Sequence, residues 1–571
     1  MQTESFIPGK DASLESTIRT MQDKLAARGF ELDESSWLNP VEAIWSVHMR
    51  DRECPMLFSN GKGATKLAAR ASALGEFFER LGTHYFWTHF YLGETRANRP
   101  FVHYPQERWF APTDDATWPA GMLNPELHAF YNPDDSIDDE VLVDLNSGNV
   151  ARGICALPYK RLRDGVETWF PVNIIGNLYV SNGMAAGNSL MEARSQALSE
   201  IFERHIKYRI IREGLCLPEV PDHVIARFPG IAAGIKGLRD AGFGILVRDA
   251  SLGGRYPVMN VTLLHPKDQG CFASFGAHPR FEIALERALT ELLQGRALES
   301  LEGFPEPGFD MEEITLASNL EIHFVDSSGV ISWRFLADTP DFPFADWNFS
   351  TTTAEDYAWL CACVAAEGKD IYVADFAEQG AYSCRILVPG MSEIYPVEDL
   401  EWENNSVGNR IRPAVVRLHA LSDKEMTELL TELQTMNLND ERPRWELLGL
   451  ASPLGTVWKQ LRIGELKTLL ALAVGDEDAI REGCDWIHHY GQMEPARRLV
   501  YRCIESLMNL EDIDAHRRSL ALLYGAETLR QAEKLLDRTE KFFGLDPLGA
   551  DMEGSAMHRT LLAAYDKLFA A

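Results

Sequence analysis

Gln196, Glu200, Glu203 and Arg204 form a polar stripe in the segment GMAAGNSLMEARSQALSEIFERHIKYR, residues 183–209. At about 100° per residue these four fall on one face of a helix, with Glu192 beside them. Met191, Leu198, Ile201 and Phe202 fall opposite, as a packed core face. The pattern recurs twice. Ser72-xxx-Glu76-xx-Glu79-Arg80 lies within ASALGEFFERL, and Arg287-xxx-Glu291-xx-Gln294 lies within RALTELLQGR. Each copy has Ala-Leu-small-Glu at the same place and polar groups at i, i+4 and i+7. One such stripe is what a solvated helix shows, since Glu76–Arg80 and Glu200–Arg204 are i,i+4 pairs worth about 0.2–0.5 kcal/mol. Repetition argues for convergence on one cavity. Two like charges 4 Å apart cost about 4 kcal/mol at an effective dielectric of 20, so gathered carboxylates require cations. An oxygen-only donor set selects a hard ion, Mg²⁺, and Mg²⁺ on carboxylates points to phosphate chemistry. Arg204 and Arg287 would then contact phosphate oxygens, and Ser72 and Asn188 would donate hydrogen bonds. Backbone amides at the glycine-rich turns suit anions.

The known phosphate loops are absent. Gly61-Lys62-Gly63-Ala64-Thr65-Lys66 lacks the Walker A spacing, and Lys66 stands where G-x-G-x-x-G needs its last glycine. No kinase loop, HExxH or GxSxG occurs.

The elements that must hold these stripes follow from pattern. Residues 11–28 read as an amphipathic helix, and β-prone runs from Val41 to Phe58 read as strands. A helix is expected from about Thr65 to Phe90. Strands and long loops are expected over 95–165, and a strand pair over TWFPVNIIGNLYVSN, 168–182. Strands around 244–264 and 271–275 lead into a helix from about Phe281 to Leu298. A helix at 353–366 precedes two buried strands, IYVADF and SCRILVPGM. The expectation is an α/β (α+β) core of strand-turn-helix units, repeated three times, with helices converging on a nucleotide site. Beyond about residue 440, short helices alternate with turns, as in an all-α, tetratricopeptide-like stack. The division is 1–438 and 439–571.

Composition bounds the function. Net charge is −30 over 571 residues, which disfavours bulk binding to nucleic acid or anionic lipid. No run approaches the ~20 apolar residues of a membrane span, and no signal peptide is read at the N-terminus. The nine cysteines are scattered without a Cys-x-x-Cys pair; Cys361 and Cys363 fit a helix core. A cytoplasmic, reduced protein is expected, forming a homodimer.

Taken together, the Ser72–Arg80 motif, the Ser181-Asn182-Gly183…Gly187-Asn188…Glu192 run, Glu200-xx-Glu203-Arg204 and the Glu286–Gln294 segment resemble the YcaO family over roughly residues 1–435. With its helical C-terminal part the chain is similar to the family's stand-alone bacterial members. The resemblance implies ATP between the converging helices, with Glu76, Glu79, Glu192, Glu200 and Glu203 holding Mg²⁺. Of these, Glu76, Glu79, Glu200 and Glu203 would be the catalytic set. Lys10, Thr17, Ser72, Ala185, Asn188, Arg204 and Arg287 would line the nucleotide, with Gln196 and Gln294 behind them. It implies ATP-dependent activation of a backbone amide oxygen by phosphorylation or adenylylation. For the stand-alone members it implies an accessory role in β-methylthiolation of an aspartate of a small-subunit ribosomal protein, beside a radical-SAM methylthiotransferase. The chain ends in Ala-Tyr-Asp-Lys-Leu-Phe-Ala-Ala, not in the Pro-rich tail of many azoline-forming members. Two other readings stand beside this one: a cyclodehydratase or thioamide synthetase of a small peptide, and a helical interaction scaffold with a vestigial nucleotide site.

Overall fold

A computed structural model describes residues 4–146, 150–377 and 381–569. The last two residues of the terminal stretch noted above lie outside it. Helix α1 (Leu14–Ala27), capped by Ser13, leads into an antiparallel meander, β1 (Leu32–Val41), β2 (Ile44–Asp51) and β3 (Phe58–Gly63), and then helix α2 (Lys66–Gly82). Strands β4 (Arg108–Phe110), β5 (Ile154–Arg161), β6 (Glu167–Pro171) and β7 (Met184–Gly187) precede the long helix α3 (Leu190–Glu213). After α4 (Pro229–Asp240), strands β8 (Gly244–Asp249), β9 (Val258–Leu264) and β10 (Cys271–Ala277) form a second antiparallel meander that feeds α5 (Phe281–Leu292). Helix α6 (Thr353–Ala366) is followed by β11 (Tyr372–Phe376) and β12 (Tyr382–Leu387). These two complete a 6-stranded antiparallel sheet ordered β4-β5-β11-β12-β7, with β6 paired to β5.

The strand-turn-helix units repeat at atomic detail. Ser59 Oγ on β3 donates to the carbonyl of Ala73 at 2.8 Å, and Ser274 Oγ on β10 donates to that of Ala288 at 2.8 Å. A Cβ at Gly61 would stand 2.0 Å from the Ala69 carbonyl oxygen, and one at Gly276 would stand 2.5 Å from that of Ala284. Glycine is required there because helix and strand backbones touch. In the middle unit a Cβ at Gly187 would lie 2.8 Å from the Ala193 nitrogen. Thr65 and Ser189 cap α2 and α3 by accepting from the N–H groups of Ala68 and Glu192, whereas α5 starts without a side-chain cap.

Helix α3 is wedged in the middle. Leu198, Ile201 and Phe202 pack with Ala273 and Phe275 of β10 and with Cys384 and Ile386 of β12. Met191, expected on that core face, is 36% exposed, while Glu192 and Ala193 of the same first turn are 4% and 0% exposed.

Other boundaries differ from the sequence pattern. Only Glu167–Pro171 of the expected strand pair is a strand; Val172–Tyr179 coils into helical turns. Ile174, Leu178 and Tyr179 are fully buried, and a continuous apolar run has no period to tell strand from helix. Helix α2 stops at Gly82, where Thr83 Oγ1 donates to the Glu79 carbonyl and His84 takes φ 55°. Helix α5 stops at Leu292, and Gly295 turns the chain with φ 70°.

The C-terminal part is all helical, including α7 (Asp423–Thr435), α8 (Ile463–Val474), α9 (Glu477–His489), α10 (Pro495–Asn509), α11 (Ile513–Tyr524), α12 (Ala526–Leu536) and α13 (Ala556–Asp566). Leu429 and Leu433 of α7 share its hydrophobic cluster with Leu466, Leu470 and Ile504. Helix α13 turns back, and its Leu561, Leu562 and Tyr565 join the cluster of Phe30, Phe77 and Trp87 at the other end of the chain. Among the described residues no helix is long and apolar enough to cross a membrane.

Candidate functional site

The three stripes meet. Glu79 on α2 feels Glu200 on α3 and its own neighbour Glu76, and these carboxylates, after burial itself, push the Glu79 carboxyl well above the usual range. Burial raises Glu76 as well, opposed by Arg80, whose Nη2 lies 2.5 Å from Glu76 Oε1, and by the Asn60 N–H at 3.2 Å. Helix α5 is tied to α3 by Arg287 Nη1, which donates to Gln196 Oε1 at 3.0 Å. Gln196 also donates to Glu200 Oε1 at 3.2 Å, and Arg204 Nη1 donates to Glu200 Oε2 at 3.3 Å and Asn182 Oδ1 at 2.7 Å.

At the centre lies a residue that the sequence pattern passed over. Lys62 forms an ion pair with Glu291 and donates to Gln294 Oε1 at 3.1 Å, while Gln294 Nε2 donates to the Asn60 carbonyl at 2.8 Å. Burial pushes the Lys62 ammonium down to about 8 despite Glu203, Glu200 and Glu76, with Arg287 adding to the fall. A signal existed in strand alternation. Ser59, Gly61 and Gly63 are buried beneath α2, so Asn60 and Lys62 on the same strand must face the other way. Lys207, one turn after Glu203, is also buried and donates to the His323 carbonyl at 2.5 Å and Ser327 Oγ at 3.0 Å. Its ammonium is pushed down to about 8 by burial, with Glu203 opposing.

Glu192 anchors the other end of the site, only 4% exposed. It accepts from Asn188 Nδ2 at 3.0 and 3.2 Å and from the Asp11 N–H at 2.9 Å, and Lys10 Nζ lies 3.2 Å away. Thr17 Oγ1 donates to Asn188 Oδ1 at 2.8 Å. The segment before α1 is thereby strapped across the start of α3, with Asp11 bonded to Ser189 and to Thr353 Oγ1, the latter at 2.6 Å. His278 backs this strap, and burial, then Arg287, Arg280 and Lys10, hold its imidazole well below the usual range. Ser72 is exposed on α2 one turn before Glu76, and Ala185 is buried in β7.

Oxygen donors from α2 and α3, flanked by Lys10, Lys62, Arg204 and Arg287, match a hard divalent cation carrying a polyanion. The raised Glu79 carboxyl is what a donor set built for added positive charge shows. Elsewhere, His103, Asp144 and Cys155 bring ligand-type atoms within 4.8 Å of one another.

A pH dependence follows. A carboxyl raised in the folded state binds more protons there than when unfolded, so its contribution is greatest below the ordinary carboxylate range and is lost as pH rises. Glu79→Gln is therefore expected to match wild-type thermal stability near pH 4.5 in EDTA and to gain on it steadily as the pH is raised from there. Saturating Mg²⁺ removes the gain. Thermal melts that stay parallel across this range would exclude an unfavourable Glu79 charge.

Comparison with known proteins gives the same direction. A family model described as YcaO cyclodehydratase, ATP- and Mg²⁺-binding, matches residues 60–392, and a YcaO cyclodehydratase C-terminal domain model matches residues 408–571. The ribosomal protein S12 methylthiotransferase accessory factor YcaO of Escherichia coli is 48% identical over 99% of this chain and 98% of its own length. A Haemophilus influenzae protein is 46% identical over 100% and 98%. Among solved structures, YcaO from Methanopyrus kandleri, bound with AMPPCP and Mg²⁺, aligns with a TM-score of 0.43 and 19% identity, covering 68% of this chain and 93% of that one.

Proposed function

The chain belongs to the YcaO family of ATP- and Mg²⁺-binding proteins, and we propose on that basis that it turns over ATP as an accessory factor in β-methylthiolation of an aspartate of ribosomal protein S12. Full-length identity of 48% to a protein of that name supports the assignment. The observation that carries the chemistry is the meeting of Glu76, Glu200 and Glu203 about Lys62, with Glu79 set against Glu200 and Glu76.

In this reading Glu76, Glu79, Glu192, Glu200 and Glu203 hold Mg²⁺. Lys10, Thr17, Ser72, Ala185, Asn188, Arg204 and Arg287 line the nucleotide. Bound Mg²⁺–ATP supplies a phosphoryl or adenylyl donor to an acceptor oxygen. The chain's own part is positioning and charge balance, the main sources of rate in phosphoryl transfer. Asn182 fixes the Arg204 guanidinium, Gln196 fixes that of Arg287, and Lys207 sets a buried positive charge behind Glu203. The family description favours one further reading, activation of a peptide amide as in a cyclodehydratase.

Residues 1–438 serve as the nucleotide-binding core, and 439–571 serve as a tetratricopeptide-like domain for the methylthiotransferase, the ribosomal protein or a second copy of the chain. Helices α7 and α13 cross that division in opposite senses and tie the two parts together. Calorimetric titration of the full chain is expected to show ATP binding with Mg²⁺ that weakens at least about tenfold in EDTA. Identifying ADP or AMP as the product then separates phosphoryl from adenylyl transfer. Titration heats equal to the dilution blank, with Mg²⁺ present, would sink the proposal.

A further inference from the structure

A cavity of about 1290 Å³ lies beside the carboxylate cluster, where the core meets the start of the helical domain. Arg204 and Asn182 belong to its wall and to the candidate nucleotide site alike. Sites for small ligands are usually about 300–1,000 Å³, so this space suits something longer.

Its walls differ in charge. Helix α3 supplies Arg204, Arg209 and Arg212, of which Arg209 is held by Glu213 at 3.0 Å. The outer wall carries Glu321, Asp399, Glu403 and Glu446. Arg442 reaches into this acidic group, 3.5 Å from Glu403, and Tyr395 Oη donates to Glu321 at 2.7 Å. Even so, Asp399 is pushed up to about 6 by burial and then by Glu403, Glu321 and Glu398, and burial raises Glu446 too. Charges crowded in this way favour added cations. A separate observation points to a ligand. Tyr208, between the two walls, is 7% exposed, and its hydroxyl has no hydrogen-bond partner. A buried hydroxyl left unpaired is unfavourable, and a peptide carbonyl would satisfy it.

We propose that this cavity docks the acceptor of the ATP-dependent reaction, and that the acceptor enters as an extended peptide segment bearing Lys or Arg side chains. Those side chains lie against Glu321, Asp399, Glu403 and Glu446, a backbone carbonyl accepts from Tyr208, and the reacting group is presented at the Arg204 end. The inference rests on the nucleotide reading above, because only that reading makes the Arg204 end reactive.

The test uses the full-length protein with Mg²⁺ and a non-hydrolysable ATP analogue. The probes are two fluorescein-labelled dodecapeptides, one alternating Lys with Gly and Ser, the other carrying Glu in place of Lys. Anisotropy is expected to show the Lys peptide binding at least about tenfold more tightly than the Glu peptide. The double variant Glu321→Gln/Asp399→Asn should lose about tenfold or more for the Lys peptide. An equal charge change on the exposed surface, Glu312→Gln/Glu313→Gln, should lose less than about twofold. Tyr208→Phe should weaken binding several-fold without lowering the melting temperature, since it removes an unpaired group. If the double variant fails to fold, Glu403→Gln at the exposed rim replaces it. Equal losses in cavity and surface variants, or equal affinity for the two peptides, would overturn the proposal. Calorimetry with the analogue on the same variants keeps the two readings apart. Loss of peptide with nucleotide retained strikes only the cavity, and wild-type protein that takes peptide but no nucleotide strikes the reading beneath it.

Discussion

Replacing Glu203 with alanine or glutamine is expected to reduce Mg²⁺-dependent ATP turnover by roughly 10³-fold or more while the protein stays folded. Glu203 is the first opposing charge on Lys62 and also on Lys207, so it links the α3 stripe to both buried ammonium groups. Without it Lys62 keeps its ion pair with Glu291 but loses a second facing carboxylate, Lys207 loses its first opposing charge, and one oxygen donor leaves the proposed metal set. Glutamine keeps the volume, so packing around Ile201, Phe202 and Ile206 is undisturbed. The paired readouts are turnover by phosphate or pyrophosphate release and a thermal melt. Turnover within a few-fold of wild type would remove Glu203 from the machinery. A collapsed melt for both variants would make it structural instead.

Truncation before α13 is expected to unfold the nucleotide-binding core and not merely to release a tail. Leu561, Leu562, Tyr565 and Leu568 are 1, 4, 1 and 7% exposed and fill the cluster around Phe30, Phe77 and Trp87. Each large apolar side chain contributes about 1.5–3 kcal/mol on burial, and together they approach the ~5–15 kcal/mol that holds a domain folded. Polar contacts are lost as well. Trp87 Nε1 donates to the Leu561 carbonyl at 3.1 Å, Tyr565 Oη donates to that of Val102 at 2.7 Å, and Arg96 grips Asp566 through two hydrogen bonds at 3.0 and 2.7 Å. Deleting the whole of 439–571 would for the same reason remove part of the core. Circular dichroism and gel filtration of a chain ending at residue 552 check this. A monodisperse truncated protein with native helix content and intact nucleotide binding would contradict it.

Several elements were legible from residue order alone. Thr353–Ala366 begins and ends where the pattern placed it, with Thr352 and Glu355 forming a capping box. The repeat was legible as Ala-Leu-small-Glu, since the same side of each helix faces the same side of a strand. The misread segment 172–179 was not legible, because apolar residues all round leave periodicity nothing to report.

The site divides in the same way. The residue types on α2, α3 and α5, their order and their shared face follow from helix geometry and the sequence by itself. From those, a Mg²⁺-compatible set of carboxylates was already readable. Tertiary structure decided what the stripes face. Glu200–Arg204 is the same i,i+4 pair in solvent or in a cavity, and only packing α3 between β10 and β12 brings Glu200 to Glu79 and Arg287 to Gln196. Lys62 shows both: strand alternation sets the face it takes, and packing alone sets what that face meets. Among glycines before a helix it reads as a surface turn, and it becomes the central cation because the glycines let α2 close against β3, which aims Lys62 at Glu291 of a helix 229 residues later in the chain. Local order specifies which groups can share a face. Long-range packing specifies which faces share a volume, and charge acts through that volume.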